Sequence, residues 1–169
     1  MRLIVFFFLL MSAITNFGQV QKKWLGHYVG ELSIYSISGT STVYHMELIF
    51  KELNATSYEW TIIYGEDSLR QERKYILIDK GDNLFEIDEQ NGIILSCNLI
   101  GNQFVSTFEV ANNLIHAMYT FGRKDMSFDL TSSTSKYNTG SLNPTDSSDI
   151  PLVISYQTTT VQKAILKRK

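Results

Sequence analysis

The residues of this sequence best suited to ligand chemistry form one short segment near its middle, Arg73-Lys74-Tyr75. On a β-strand Arg73, Tyr75 and Leu77 share one face, because alternate side chains of a strand point to the same side. If that face lines an apolar interior, the guanidinium can bind a carboxylate with two parallel hydrogen bonds, and the phenol adds another donor. The opposite register turns Lys74 and Ile76 inward and leaves Arg73 in water. The sequence alone leaves both registers open.

Aromatic side chains are the second feature that fits a binding site. Six of them fall on predicted strands and could line a common interior: Tyr28, Tyr58, Trp60, Tyr64, Tyr75 and Phe108. Such a lining suits flat or aliphatic ligands, and it fills a packed barrel without a cavity equally well. We predict ligand binding by Arg73, Tyr75, Tyr28 and Trp60, and the volume of the interior stays open.

Residues for covalent catalysis or metal binding are sparse. The chain has no Gly-x-Ser-x-Gly sequence, the turn that presents a nucleophilic serine in many hydrolases. Its single cysteine, Cys97, alternates with Leu95 and Leu99 as a small core residue would. The three histidines lie on different predicted strands without the spacing of metal ligands: His27, His45 and His116. We therefore predict a non-enzymatic protein without a metal site or cofactor.

The first residues have the pattern of a secretory signal peptide. Arg2 precedes residues 3–11, an unbroken apolar run, and a membrane-spanning helix needs about 20 apolar residues. A positive start followed by a short apolar run and small or polar residues is typical of export signals. We predict that residues 1–18 are removed near Gly18 and that the protein is exported to the periplasm or the extracellular space, without a stable membrane anchor.

The charged residues of the chain argue against nucleic acid as a partner. The chain carries 15 Lys and Arg against 17 Asp and Glu, for a net charge of −2. Its one basic cluster is residues 167–169, and three terminal charges are usually a solvated tail. Because nucleic-acid binding needs an extended basic surface, we predict no nucleic-acid partner.

The rest of the chain reads as short strands separated by turns. Runs rich in Ile, Val, Tyr, Phe and Thr alternate with Gly, Asn and Asp clusters, which is typical of an all-β domain. Ten strands are predicted, at residues 26–35, 42–53, 57–64, 72–79, 84–89, 93–100, 103–110, 114–121, 126–131 and 152–166. The polar stretch 132–151 contains Pro144 and Pro151 and predicts a long loop.

Tight connections between these segments predict how they assemble. Strands joined by loops of two to five residues are antiparallel neighbours, and closure of the sheet removes its two exposed edges. Residues 19–169 are therefore predicted to form a single all-β domain, an antiparallel up-and-down meander of about ten strands that closes into a barrel.

The entrance to the first predicted strand resembles a known family. The segment Trp24-Leu25-Gly26-His27-Tyr28-Val29-Gly30 is similar to the Trp/Gly opening of lipocalin-like, or calycin, barrels, including nitrobindin-like and fatty-acid-binding proteins. The resemblance implies an up-and-down barrel that holds a small apolar ligand. Arg73-Lys74-Tyr75 also looks like the Arg-x-Tyr pattern with which fatty-acid-binding barrels hold a carboxylate. Trp24 is expected to plug one end of the barrel.

Two functions remain open at this stage. The first is an exported binding protein that holds an apolar or carboxylate-bearing ligand inside the barrel. The alternative is a non-enzymatic interaction or structural module that acts through its surface loops, with 132–151 as the leading candidate and its protein partner unknown.

Overall fold

The computed structural model describes residues 19–140 and 154–169, and ten strands make up most of them. The strands are β1 Gly26–Ser36, β2 Ser41–Asn54, β3 Ser57–Tyr64, β4 Gln71–Gly81, β5 Leu84–Asp88, β6 Ile94–Ile100, β7 Gln103–Val110, β8 Asn113–Phe121, β9 Asp125–Gly140 and β10 Ile154–Arg168. Two short 3-10 helices, Lys22–Trp24 and Asp67–Leu69, complete the described elements. The predicted signal peptide, residues 1–18, lies outside the described residues.

The sheet closes on itself. Each strand pairs antiparallel with its neighbour in sequence, and β1 pairs with both β2 and β10. Tyr28, for example, lies opposite Leu48 on one side and Arg168 on the other. Gly30 is needed at this seam, because a Cβ there would lie 2.5 Å from the backbone oxygen of Ile165. The prediction of an all-β, ten-stranded up-and-down barrel is confirmed.

The predicted strand boundaries agree with the structure to within two residues, except at the end of β9. This strand continues to Gly140, so the predicted polar loop is wrong for residues 132–140. Ser132 lies opposite Thr160, and Ser133 lies opposite Thr158. Short hydroxyl side chains predict a loop by composition, but they fit a strand whose backbone pairs with a neighbour. The remainder of the predicted loop, residues 141–151, lies outside the described residues. The next strand, β10, begins at Ile154.

The barrel has two different ends. At the closed end the helix Lys22–Trp24 precedes β1, and the β2–β3, β4–β5, β6–β7 and β8–β9 turns lie there. At the open end lie the β1–β2, β3–β4, β5–β6 and β7–β8 connections. In the part of the chain that the structure describes, no helix has the length and apolar character needed to cross a membrane.

Aromatic rings fill the closed end. Trp24 stacks on Phe121 with ring centroids 5.7 Å apart, and Phe50 lies 5.5 Å from the same ring. Phe104 contacts Phe121 edge-on at 6.0 Å. All four side chains are at most 2% exposed, so the expected plug at Trp24 is present as one member of a packed aromatic cluster.

Candidate functional site

The open half of the interior contains a cavity of about 120 Å³. Its walls come from inward-facing side chains of β3, β4, β5, β6, β7, β8 and β9, together with Glu89 just after β5. Most of the wall is aromatic or aliphatic, and its rings are Trp60, Tyr64, Tyr75, Phe108, Tyr119 and Phe128. Polar groups are few: besides the tyrosines, the wall contains Arg73, Glu89 and Ser106.

The size of this cavity limits what it can enclose. Pockets for drug-sized ligands measure roughly 300–1,000 Å³, whereas an apolar cavity of about 150 Å³ holds a single benzene ring. A groove of about 330 Å³ lies beside the cavity at the open end. Arg73, Tyr75 and Glu89 line both spaces, so these residues stand at the border between them, which is called the passage below.

Arg73 is the cation of the passage. Because Ile62 on β3 lies opposite Arg73 on β4, the structure selects the register in which Arg73 and Tyr75 line the interior. Leu77, on the same face, is fully buried, whereas the Lys74 side chain points to solvent with 70% of its surface exposed.

The surroundings of Arg73 stabilise its charge. Its guanidinium lies 5.7 Å from the centroid of the Tyr64 ring, within cation–π range. The nearby Tyr75 hydroxyl is the largest cause of the raised pKa of Arg73, and Glu89 has a smaller effect in the same direction. Among the described residues, Arg70 and Lys74 form ion pairs with Glu72 but Arg73 forms none. The guanidinium is therefore charged and available to an anion.

The two buried tyrosines of the cavity are neutral donors. Burial raises the pKa of Tyr64 to about 12, although Arg73 acts in the opposite direction. Burial also raises the pKa of Tyr119, by a wide margin. Desolvation disfavours the phenolate in both cases, so neither hydroxyl contributes a negative charge near Arg73 at neutral pH.

Trp60 marks the floor of the cavity. Its ring contacts Phe50 at 4.9 Å and Phe104 at 5.5 Å in the aromatic cluster, and Tyr119 of the cavity wall at 4.9 Å. The indole is 1% exposed, and its Nε1 has no hydrogen-bond partner. Tyr119 interacts with this indole, but not within hydrogen-bond geometry. An unpaired buried N–H is uncommon in proteins.

The structure brings three of the four predicted site residues together and separates the fourth. Trp60, Arg73 and Tyr75 line the cavity. Tyr28 lies in the closed half instead, where its hydroxyl donates to the Trp24 carbonyl at 2.7 Å and its ring meets Phe121 edge-on. The alternation of residues along β1 predicts the inward orientation of Tyr28, but it does not predict the position of a residue along the barrel axis.

A polar cluster on the outer wall went unrecognised in the sequence. The Glu47 carboxylate accepts from His27 on one oxygen and from His45, at 2.9 Å, on the other. His45 also lies 3.2 Å from Glu66. Burial raises the pKa of Glu47, but the hydrogen bonds from His45 and His27 outweigh it, so the net pKa is lowered. Only the pairing of β1 with β2 brings His27 next to Glu47, since they are far apart in sequence.

Other side chains with reactive groups lie apart from one another in the part of the chain that the structure describes. Cys97 is buried, and burial raises the pKa of its thiol to about 12, far from the lowered pKa of a reactive thiolate. His116 faces outward, with Nδ1 2.8 Å from the Thr107 hydroxyl. Across residues 19–140 and 154–169, no three His, Cys, Asp or Glu side chains are arranged to hold a metal ion.

Comparison with known proteins shows the fold and leaves the family open. No family model and no curated protein matches the chain. A protein of unknown function of the DUF3598 family from Nostoc punctiforme matches with a TM-score of 0.60 at 9% identity, covering 87% of this chain and 48% of its own, so this chain spans about half of that protein.

Two further solved structures match over nearly their whole length. The S-type phycobiliprotein lyase CPES from Guillardia theta has a TM-score of 0.59 at 7% identity, covering 87% of this chain and 89% of its own. Rv2717c from M. tuberculosis has a TM-score of 0.54 at 11% identity, covering 88% and 94%. The chain therefore shares the overall fold of these proteins, which in this chain is a closed barrel of ten strands.

Proposed function

We propose that this protein binds a small apolar molecule that carries one carboxylate. The apolar part occupies the cavity above Trp60, and the carboxylate meets Arg73 and Tyr75 in the passage. The observation that carries the proposal is the position of Arg73, which borders an apolar cavity and forms no ion pair with a described carboxylate. Such a guanidinium binds a carboxylate through two parallel hydrogen bonds.

The charges of the passage favour a single negative group on the ligand. Glu89 lines the same passage as Arg73, so a second carboxylate of a ligand would meet a like charge. Tyr64, whose pKa is raised to about 12 by burial, adds a hydroxyl without adding charge. A monocarboxylate is therefore favoured over a dicarboxylate or a phosphate.

The lipocalin-like fold supports a binding role, and the Arg-x-Tyr pattern at Arg73 and Tyr75 supports a ligand of the kind that fatty-acid-binding barrels hold. Binding without catalysis is part of the proposal. The buried thiol of Cys97, with its raised pKa, and the outward position of His116 offer the cavity neither a nucleophile nor a general base.

Titration calorimetry with paired probes tests this function. Benzoate and octanoate are compared with benzamide and octanol, which match them in shape and lack the charge. We expect the acids to bind more tightly by about tenfold or more, since a charge-assisted hydrogen bond contributes roughly 1.5–3 kcal/mol. Arg73→Gln should remove that preference, whereas Lys80→Gln, on the same strand but outside the cavity and the groove, should preserve it. Equal binding of acids and neutral analogues, or binding of none, would overturn the proposal.

Export is a separate part of the proposal and rests on the apolar run 3–11 behind Arg2. Expression with the complete sequence in a bacterial host, followed by mass determination of the exported product, tests it. We expect a mature chain that begins near Gln19. Retention of residues 1–18 on a cytoplasmic product would contradict it.

A second candidate function, an interaction module, is favoured by apolar side chains around the β1–β2 connection at the open end. Tyr35, Ile37, Val43 and Tyr44 are 43–61% exposed, and exposed apolar patches often mark contact sites. Paired substitution of Ile37 and Val43 by serine should abolish partner capture under this alternative while leaving benzoate binding unchanged.

A further inference from the structure

We propose that the closed end of the barrel binds peripherally to a lipid bilayer that carries anionic headgroups, with the open end facing away from that surface. The proposal concerns the end opposite Arg73 and does not depend on which ligand the cavity holds. It rests on a basic patch that the fold assembles from three separate segments of the chain: Lys22, Lys23, Arg123, Lys124, Lys167, Arg168 and Lys169.

Arg168 joins the three segments of the basic patch. Its backbone N–H donates to the Lys124 carbonyl at 3.0 Å, which connects the end of β10 to the β8–β9 turn. Its guanidinium donates to the carbonyls of Lys23, at 3.0 Å, and Leu25, which connects β10 to the helix before β1. Cations that are far apart in sequence are therefore concentrated on one side of the closed end.

The charges of the basic patch are largely uncompensated. All seven side chains are exposed, and among the described residues Lys167 is the one that forms an ion pair, with Asp125 at 2.8 Å. The whole chain has a net charge of −2, so the rest of the protein is net negative. Crowded cations repel one another, since salt screens charges only beyond a Debye length of about 8 Å. A surface with dense negative charge relieves this repulsion.

The open end has the opposite electrostatic character. Four carboxylates lie in or beside its connections: Glu66, Asp67, Glu89 and Glu109. The nearby cations Arg70 and Lys74 are paired with Glu72. An anionic surface therefore attracts the closed end and repels the open end, which orients the barrel as it approaches.

The position of the exposed rings favours a bilayer over a nucleic acid. Proteins that bind single-stranded nucleic acids combine cations with aromatic side chains on which the bases stack. The exposed aromatic side chains in the described part of the chain lie at the other end of the barrel: Tyr35, Tyr44 and Tyr156. The basic patch thus has charge without a stacking surface.

An apolar side chain beside the basic patch also fits a bilayer. Ile165 is 66% exposed and lies on the outer face of β10, between Lys163 and Lys167. Cations that flank an exposed apolar side chain suit the boundary between headgroups and acyl chains. Clusters of four to eight Lys and Arg are typical of segments that bind anionic lipids, and the basic patch falls within that range.

Sedimentation with vesicles tests the proposal. The complete chain is mixed with vesicles of phosphatidylcholine alone or of phosphatidylcholine with phosphatidylglycerol. The readout is the difference between the two, because the apolar run 3–11 would bind both bilayers alike. We expect at least about tenfold tighter binding to the anionic vesicles. This difference should disappear in about 1 M salt, where the Debye length is about 3 Å.

Paired substitutions locate the interaction on the protein. Lys23→Gln with Lys124→Gln should weaken binding to the anionic vesicles about tenfold or more, since each cation near such a surface contributes about fivefold. Arg70→Gln with Lys74→Gln is the matched control, because it removes two exposed cations from the open end, and it should change binding by less than about twofold. Lys23→Arg with Lys124→Arg keeps the charges and should keep the affinity.

Electron paramagnetic resonance measures the orientation on the vesicle. A nitroxide is attached to Gln21→Cys, beside the basic patch, or to Ser38→Cys, in the β1–β2 connection at the open end. Cys97 is buried and should not be labelled. On anionic vesicles the label at position 21 should lose most of its accessibility to a water-soluble relaxation agent, whereas the label at position 38 should retain it. Equal accessibility at both positions would refute the orientation.

The other outcomes are equally decisive. Equal binding to both kinds of vesicle, or binding to neither, would overturn the proposal. Equal losses in the two glutamine pairs would show that net charge, rather than the basic patch, controls binding. Capture of a single-stranded oligonucleotide in place of anionic vesicles would assign the basic patch to a nucleic acid. None of these results changes the test of Arg73, because benzoate binding is measured without vesicles.

Discussion

The two ends of this barrel are built from the same ten strands but differ in how far their inward-facing side chains fill the interior. At the closed end Trp24, Phe50, Phe104 and Phe121 fill the interior completely. At the open end the same sheet surrounds a cavity and carries Arg73 at its mouth. The closed end stabilises the fold with aromatic contacts, which leaves the open end free to keep unfilled volume and an unpaired charge.

Trp60 belongs to both regions. Its ring packs against Phe50 and Phe104 of the aromatic cluster and against Tyr119 of the cavity wall. Aromatic contacts from both regions therefore hold its position.

The largest expected effect is a difference in the free energy of unfolding between substitutions at the two ends. Phe121→Ala removes a ring that contacts Trp24, Tyr28 and Phe50 among others, and should reduce the free energy of unfolding by about 3–5 kcal/mol. Phe108→Ala, in the partly exposed wall of the cavity, should reduce it by about 1–2 kcal/mol. Urea unfolding measures both, and equal losses would refute the division into two ends.

The next prediction compares two tyrosines, one whose hydroxyl contributes to stability and one whose hydroxyl contributes to benzoate affinity. Tyr28→Phe removes the hydroxyl that donates to the Trp24 carbonyl, so it should cost about 1 kcal/mol of stability and leave benzoate binding unchanged. Tyr75→Phe should weaken benzoate binding about fivefold, since its hydroxyl interacts with Arg73, with less effect on stability. A loss of benzoate affinity in Tyr28→Phe would return that residue to the ligand site.

Alkaline titration tests the desolvation of Tyr64 at the open end. Because the pKa of Tyr64 in the folded protein is raised to about 12, its contribution to stability is present below pH 10 and is lost as the pH rises towards 12. Tyr64→Phe should therefore reduce the phenolate absorbance that develops near pH 12 and flatten the alkaline loss of stability. An unchanged absorbance titration in Tyr64→Phe at this pH would contradict the raised pKa of Tyr64.

The smallest effect is expected on the outer wall, which both ends share. The lowered pKa of Glu47 stabilises the fold above the usual carboxyl pKa, and this stabilisation is lost as the pH falls through the folded value. Glu47→Gln should therefore lower stability at pH 7 by about 0.5–1 kcal/mol, and the difference from the wild type should vanish in acid. Thermal unfolding at pH 7 and pH 3 measures it, and a constant difference would contradict the assignment.

The strands could be predicted because their alternation is regular where one face is buried. In the predicted strand 42–53, alternation puts Met46, Leu48 and Phe50 on one face, and all three are fully buried. Tyr44 continues the same alternation but is 43% exposed, because β2 begins at the open end, beyond the packed interior. Periodicity identifies the inward side of a strand and says nothing about where the interior stops.

The site could be predicted only in part because it depends on register between strands. The orientation of Arg73 stayed open, since Ile76 and Leu77 are both apolar and either face could be the inner one; its position opposite Ile62 decides it. The contacts of Glu47 with His27 and His45 likewise arise from strand pairing and geometry. Cross-strand neighbours have no signature in a single sequence.

The pairing of β1 with β10 has a consequence for the order in which the barrel can fold. The two strands that close the barrel pair from Tyr28 opposite Arg168 to Ser36 opposite Thr160, so the edge of β1 stays unpaired on this side until β10 has been synthesised. Pairing between segments so far apart in sequence slows folding. Closure of the barrel is therefore expected to follow the formation of the local hairpins.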